Sequence, residues 1–188
     1  MGLDMYASRR LHVKQWEFQR PDERYTVRIE CGGKPVKGIR EDCISDVEEE
    51  VMYWRKANHI HAWFVDNVQD GQDDCEAYCV EWDELGRLLE VCEEVISSSR
   101  LVRGSILARK VWNSIRQTWD EQREPGRVIE NPTVAKELLP VRQGCFFGNY
   151  EYDEFYLKNV VETRDWAKRM LADIQSGVPG DIYYQSSW

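Results

Sequence analysis

Two polar residues interrupt an otherwise apolar helical stripe between Val47 and Val68. Positions 47, 51, 54, 58, 61, 65 and 68 hold Val, Val, Trp, Asn, His, Val and Val, which is the spacing of one face of an α-helix. A core-facing helix would turn the amide of Asn58 and the imidazole of His61 inward. Because a buried polar group must find a partner or line a cavity, this stripe predicts the wall of a site.

The residue types around this stripe favour ligand recognition. Amide and imidazole groups supply directional hydrogen bonds, a guanidinium binds an anion, and aromatic rings stack on a flat group. We predict a ligand-binding site that consists of Asp4, Tyr6, Trp54, Arg55, Asn58, His61 and Asp153. The alternative, in which Asn58 and His61 are satisfied inside the core, stays open. His59 falls on another helix face, beside charged neighbours, and is predicted to be solvated.

A hydrolase is the second reading of the same residues. In it, His61 acts as general base and either Cys145 or a metal-bound water is the nucleophile. No family-specific signature surrounds Cys145. Positions 57, 58, 64 and 65 around His61 hold Ala, Asn, Phe and Val, which form no metal-binding set. The sequence therefore predicts neither a metal nor a cofactor, and binding is favoured over catalysis.

Charge is distributed unevenly along the chain. The net charge of −9 argues against direct binding of nucleic acid, which normally requires a basic face. Residues 41–99 hold seventeen acids and three bases, whereas residues 100–127 hold seven bases and three acids. The third reading is that the acidic 41–99 surface mimics nucleic-acid phosphates against a basic host protein. Glu48, Glu49 and Glu50 are expected in the first turn of the helix on that surface.

The sequence predicts that both strands and helices position these residues. The length predicts one α+β domain over residues 1–188, with a small, mainly antiparallel sheet packed against several amphipathic helices. Helical spacing of apolar residues predicts that the basic segment 98–127 is a helical insertion. Strands are predicted at 2–8, 24–30, 77–82, 144–148 and 181–188, and helices at 47–67, 83–96, 107–119, 131–139 and 153–176.

Cysteine usage and hydropathy bear on the setting of the protein. The six cysteines are not preceded by a signal peptide, and we expect reduced thiols in a cytoplasmic protein. No apolar run approaches the length that crosses a bilayer, so no membrane partner is expected.

Four segments carry a resemblance to a known group of proteins. They are MGLDMY at 1–6, YWRKANHIHAWF at 53–64, FFG at 146–148 followed by EYD at 151–153, and YQSSW at 184–188. Through them the chain resembles a family of small uncharacterised proteins carried by bacteriophages and prophages. The resemblance implies the cytoplasm of an infected bacterium and assigns no catalytic residue. By analogy, we expect a phage accessory protein that antagonises host defence, either blocking a host protein or sequestering a small anionic ligand.

Overall fold

The fold is an antiparallel sheet packed with helices, which confirms the predicted α+β class. The computed structural model describes residues 2–144 and 147–188. The strands of these residues are β1 Asp4–His12, β2 Glu30–Cys31, β3 Lys34–Pro35, β4 Asp46–Arg55, β5 Tyr78–Val80, β6 Leu101–Asn113, β7 Thr118–Ile129 and β8 Asp181–Ser187. The α-helices are α1 Asn58–Asn67, α2 Trp82–Ser98, α3 Thr133–Leu138 and α4 Glu154–Gln175.

The main sheet places the first and last strands side by side. Its order is β4-β1-β8-β5, and every neighbouring pair is antiparallel. Because successive residues of a strand point to opposite faces, Met5 and Tyr184 are buried against the helices. Tyr6 and Tyr183 lie on the opposite face and are partly exposed. The predicted strands at both ends of the chain are confirmed.

Aromatic packing joins this sheet to two helices. Phe64 of α1 stacks on Tyr184 with ring centroids 3.9 Å apart, and Trp54 of β4 meets Trp166 of α4 edge to face at 5.2 Å. The Trp54 indole Nε1 donates to Thr163 Oγ1 at 2.8 Å. The core therefore includes one buried polar contact that fixes α4 against β4.

The helices differ in how much of their surface is buried in the core. α2 is amphipathic and buries a single face, which includes Leu85, Leu88 and Val95. α1 is short and buried over eight consecutive residues, 58–65, so polar residues on every side of it need partners. Among the helices of residues 2–144 and 147–188, none has the length and hydropathy required to cross a bilayer.

The prediction of one helix from residue 47 to 67 is wrong in its first half. Residues 46–55 form strand β4, which pairs with β1 along its whole length. The chain then turns at Lys56, which has a φ of 58°, and α1 begins at Asn58. Residues 47, 51 and 54 satisfy helical spacing by coincidence, and the long ladder with β1 decides the conformation.

The three consecutive glutamates are therefore on a strand and not in a helical first turn. They alternate between the two faces of β4. Glu48 lies 3.4 Å from Arg10, and Glu49 lies 3.7 Å from Arg9, both on β1. Cross-strand arginines thus partly neutralise this part of the 41–99 surface.

The prediction of a helical insertion at 98–127 is also wrong. Strands β6 and β7 pair as a long antiparallel hairpin, here named the arm, residues 101–129. Pro125 and Gly126, which suggested a helix end, lie inside β7 opposite Ser105 and Gly104. A Cβ on Gly104 would come within 2.7 Å of the side chain of Val128, which fills the space beside this glycine. Cross-strand pairing, invisible in a local pattern, accounts for the difference.

Two predicted strands also differ from the structure. Of the strand expected at 24–30, only residue 30 belongs to a strand, the two-residue β2. In the strand expected at 144–148, Cys145 and Phe146 lie outside the described residues, and the remaining residues are coil. The elements expected at 77–82, 83–96, 131–139 and 153–176 are confirmed as β5, α2, α3 and α4.

Replacing Trp54 with Phe should lower the free energy of unfolding by about 2 kcal/mol, because buried ring volume and the hydrogen bond to Thr163 are both lost. The control is Trp112→Phe in the arm, where the ring is half exposed and a change below about 0.5 kcal/mol is expected. Chemical denaturation measures both values. Equal losses in the two variants would contradict the assignment of Trp54 to the core.

Candidate functional site

A polar cavity of about 300 Å³ opens where β4 ends and where α1 and α4 begin. The coil before α4 and one residue of the arm complete its walls. The described residues that line it are Arg55, Lys56, His59, Leu107, Gly148, Asn149, Glu151, Asp153, Phe155, Tyr156, Lys158 and Asn159. Concave sites with a few convergent polar groups are where proteins usually hold small ligands.

Three cations line this cavity. The Nε atom of Arg55 is 4.0 Å from a carboxylate oxygen of Asp4, and Nζ of Lys158 is 3.7 Å from Glu162. Both pairs involve exposed side chains and are weak. Within residues 2–144 and 147–188, Lys56 has no carboxylate within 4 Å. Positive charge at the cavity is therefore available to a ligand.

The carboxylate of Glu151 is engaged by the arm. Arg123 holds it through two contacts of 2.5 and 3.0 Å, and the backbone N–H of Leu107 donates to it at 3.1 Å. A bidentate guanidinium–carboxylate pair fixes geometry as well as charge. Glu151 therefore anchors the arm beside the cavity, and its negative charge is largely compensated.

Asp153 is buried and caps α4. One of its carboxylate oxygens accepts the backbone N–H groups of Phe155 and Tyr156, each at 2.9 Å. The other accepts the side-chain amide of Asn149 at 2.6 Å. Burial raises the pKa of Asp153 above its usual value, although these hydrogen bonds oppose the shift. Its first role is thus to start the helix and to place Asn149 at the cavity.

His59 lines the inner wall of the cavity and is buried. The prediction that it is solvated is therefore wrong. Only 3% of the residue is exposed, and its ring packs on Tyr156 with centroids 4.1 Å apart. Nε2 is buried and has no hydrogen-bond partner among the described residues. Burial lowers the pKa of His59 to about 3, so the ring is neutral near pH 7.

Two residues with a left-handed backbone conformation lie in contact beside the cavity. Lys56 has a φ of 58°, and Gly148 has a φ of 96°. A Cβ on Gly148 would lie 2.8 Å from Cβ of Lys56 and 3.2 Å from its carbonyl oxygen. The backbone N–H of Lys56 donates to the carbonyl of Leu3 at 2.8 Å. Such constrained backbone is common at binding sites, and here it holds Lys56 in place.

Asn58 is satisfied by backbone and does not line the cavity. Its amide nitrogen donates to the carbonyls of Phe147 and Asn149 at 3.1 and 2.8 Å. Its oxygen accepts the backbone N–H of Arg142 at 3.1 Å. The residue therefore clamps the coil before α4 onto the first turn of α1.

His61 lies in the core, away from the cavity. Nδ1 is 2.8 Å from the hydroxyl of Tyr184, and Nε2 is 3.0 Å from a carboxylate oxygen of Asp73. The ring is fully buried, and burial lowers its pKa despite the neighbouring Asp73. With both nitrogens bonded and no exposed surface, His61 is not placed to act on a ligand.

The other predicted residues are divided between three places. Trp54 is in the core, while Asp4 and Tyr6 lie on the exposed face of the sheet, where Asp4 accepts the hydroxyl of Tyr53. Cys145 lies outside the described residues. Of the seven residues predicted to bind a ligand, the cavity brings together Arg55 and Asp153.

Comparisons of this chain with protein-family models, with curated proteins and with solved structures give no match. The resemblance to phage proteins therefore stays a prediction. Within the described residues, no three His, Cys, Asp or Glu side chains are grouped to hold a metal ion.

The buried His59 should make stability depend on pH. Between pH 6.5 and 3, the unfolded chain binds a proton at this imidazole and the native protein does not. Stability should therefore fall on acidification through this window, by about 1.4 kcal/mol per pH unit from this group. His59→Phe removes the titrating group and keeps a ring against Tyr156.

Urea denaturation of both proteins across this range measures the effect. The wild type should lose stability more steeply than His59→Phe as pH falls. Because other groups titrate equally in the two proteins, parallel pH profiles would show that His59 is not buried as described.

Proposed function

We propose that this protein binds a small anionic ligand in the cavity at the beginning of α4. The observation that carries the proposal is the charge balance of the walls. Arg55, Lys56 and Lys158 face weak or no ionic partners among the described residues, whereas Glu151 and Asp153 are held by internal contacts. A phosphate or carboxylate group would meet uncompensated positive charge.

The neutral groups of the cavity suit an anion as well. The amide of Asn149 is oriented by Asp153, and the uncharged imidazole of His59 closes the inner wall. A cavity of about 300 Å³ accommodates a group of phosphate or pyrophosphate size. The burial of His59 also keeps water away from part of the wall, which strengthens ionic contacts.

Binding is favoured over the hydrolase alternative. His61 is buried with both ring nitrogens bonded, and His59 has a pKa of about 3, far too low for an efficient general base at neutral pH. Cys145, the nucleophile of that alternative, lies outside the described residues, and the described residues that line the cavity include no other Ser, Thr or Cys side chain.

The acidic-mimic alternative has weaker support for a different reason. The row expected at Glu48, Glu49 and Glu50 alternates across β4, and Glu48 and Glu49 pair with arginines, so these acids do not present one continuous negative face to a basic partner. In the infected bacterial cell that the resemblance implies, the proposed binding would act by sequestering a small anionic host molecule. This sequestration would antagonise host defence without a chemical step.

Pyrophosphate is a suitable probe of the site, and Lys56→Gln is the informative variant. Wild-type protein should bind pyrophosphate in isothermal titration calorimetry at low salt, and Lys56→Gln should weaken binding about tenfold, through loss of a charge-assisted contact worth about 1.4 kcal/mol. The control is Lys34→Gln, an exposed lysine in β3 that should bind as the wild type does.

Two results would contradict the proposal. One is the absence of pyrophosphate binding by the wild type at millimolar concentration. The other is an equal loss of affinity in Lys56→Gln and Lys34→Gln, which would indicate a non-specific charge effect. Circular dichroism of each variant establishes that the fold is retained.

A further inference from the structure

A second cavity, of about 730 Å³, extends the first along the arm. Lys56, Leu107, Gly148 and Asn149 border both cavities, so the two form one cleft between the arm and the body of the protein. Lys56 lies where they join. The cleft is therefore larger than a phosphate requires, and its second half has a different lining.

The distinguishing feature of the second half is Trp119. Its side chain is 62% exposed, and it borders the cleft. Trp112, its partner across the arm, contacts it edge to face with ring centroids 5.4 Å apart. A large aromatic ring that is exposed yet held by a neighbour is suited to stack on a flat aromatic group.

The half of the arm that lies next to the body is held by several contacts. Besides the Arg123–Glu151 pair, the backbone N–H of Ile129 donates to the carbonyl of Tyr152 at 2.9 Å. These contacts lie along one side of the arm and tie it to the coil before α4. They hold in place the part of the arm that carries Leu107 and Arg123, which lowers the ordering that binding requires.

The second half of the cleft also contains basic residues. Arg109 and Lys110 of β6 line its second half. Nε of Arg109 donates to the amide oxygen of Gln122 at 2.6 Å, a contact that leaves its charge uncompensated, and Lys110 is 3.5 Å from Glu121. Because Arg109 and Lys110 are successive strand residues, only Lys110 shares the face of the arm that carries Trp119. On that face the second half of the cleft thus combines an indole with a lysine that is paired to Glu121.

We infer that the ligand of this cleft is a nucleotide. Its phosphates contact Lys56 and Arg55 in the first cavity, and its base stacks on Trp119 in the second. This inference rests on the proposed anion-binding function and adds to it the class of ligand. Stacking of a base on an exposed aromatic ring adds affinity that a phosphate alone lacks, and a long nucleic acid would be repelled by a protein of net charge −9.

The test compares nucleoside diphosphates with pyrophosphate, which carries the phosphates without the base. Isothermal titration calorimetry of ADP, GDP, CDP and UDP should show at least one nucleotide that binds wild type about tenfold more tightly than pyrophosphate does. Trp119→Ala should remove this margin and leave pyrophosphate affinity unchanged. Trp82→Ala, which removes an exposed ring on α2, is the control and should keep the margin.

The outcomes separate this inference from the proposed function. If pyrophosphate binds and no nucleotide binds more tightly, the nucleotide inference is overturned and the anion site stands. If neither pyrophosphate nor any nucleotide binds, both are overturned. If the nucleotide margin survives in Trp119→Ala, the base does not stack on this residue and the inference is overturned.

Discussion

The three hydrogen bonds of the Asn58 side chain are the constraint on which the candidate site depends. The residue is buried at the start of α1, and its amide satisfies two carbonyls and one N–H of the coil before α4. Removing the side chain would leave these backbone groups without partners, at a cost of about 1–3 kcal/mol each where they are buried. The described residues of this coil between α3 and α4 form no strand or helix, so such side-chain contacts help to determine where it runs.

The cavity follows from that position. The clamped coil brings Gly148 against Lys56 and presents Asn149 to Asp153, which caps α4. Glu151, two residues earlier than the cap, then pairs with Arg123 and sets the arm beside the cavity. One buried amide thus organises the lysine, the helix start and the arm through successive contacts.

The sequence predicted the parts of the fold that depend on local pattern. The two long helices and the terminal strands are signalled by neighbouring residues. The β4 strand and the arm were predicted as helices, because their apolar spacing fits both periods and only pairing with distant strands decides.

The same limit applies to the site. The burial of Asn58 and His61 was predicted correctly, but their partners lie elsewhere in the chain, 84 to 91 residues away for Asn58 and 123 for Tyr184. No local pattern identifies such partners. His59 was misplaced because the predicted helix, 47–67, was assumed to have a solvated face, whereas α1 is buried over residues 58–65. In the sequence, the neighbouring Arg55 and Lys56 were the signal for an anion-binding site beside His59.

The most direct test of the whole account is a crystal structure of the protein grown with ADP. The account predicts phosphate oxygens within hydrogen-bonding distance of Nζ of Lys56 and the base parallel to the indole of Trp119. Ordered ADP bound outside this cleft, such as on the exposed face of the sheet beside Tyr6, would contradict it.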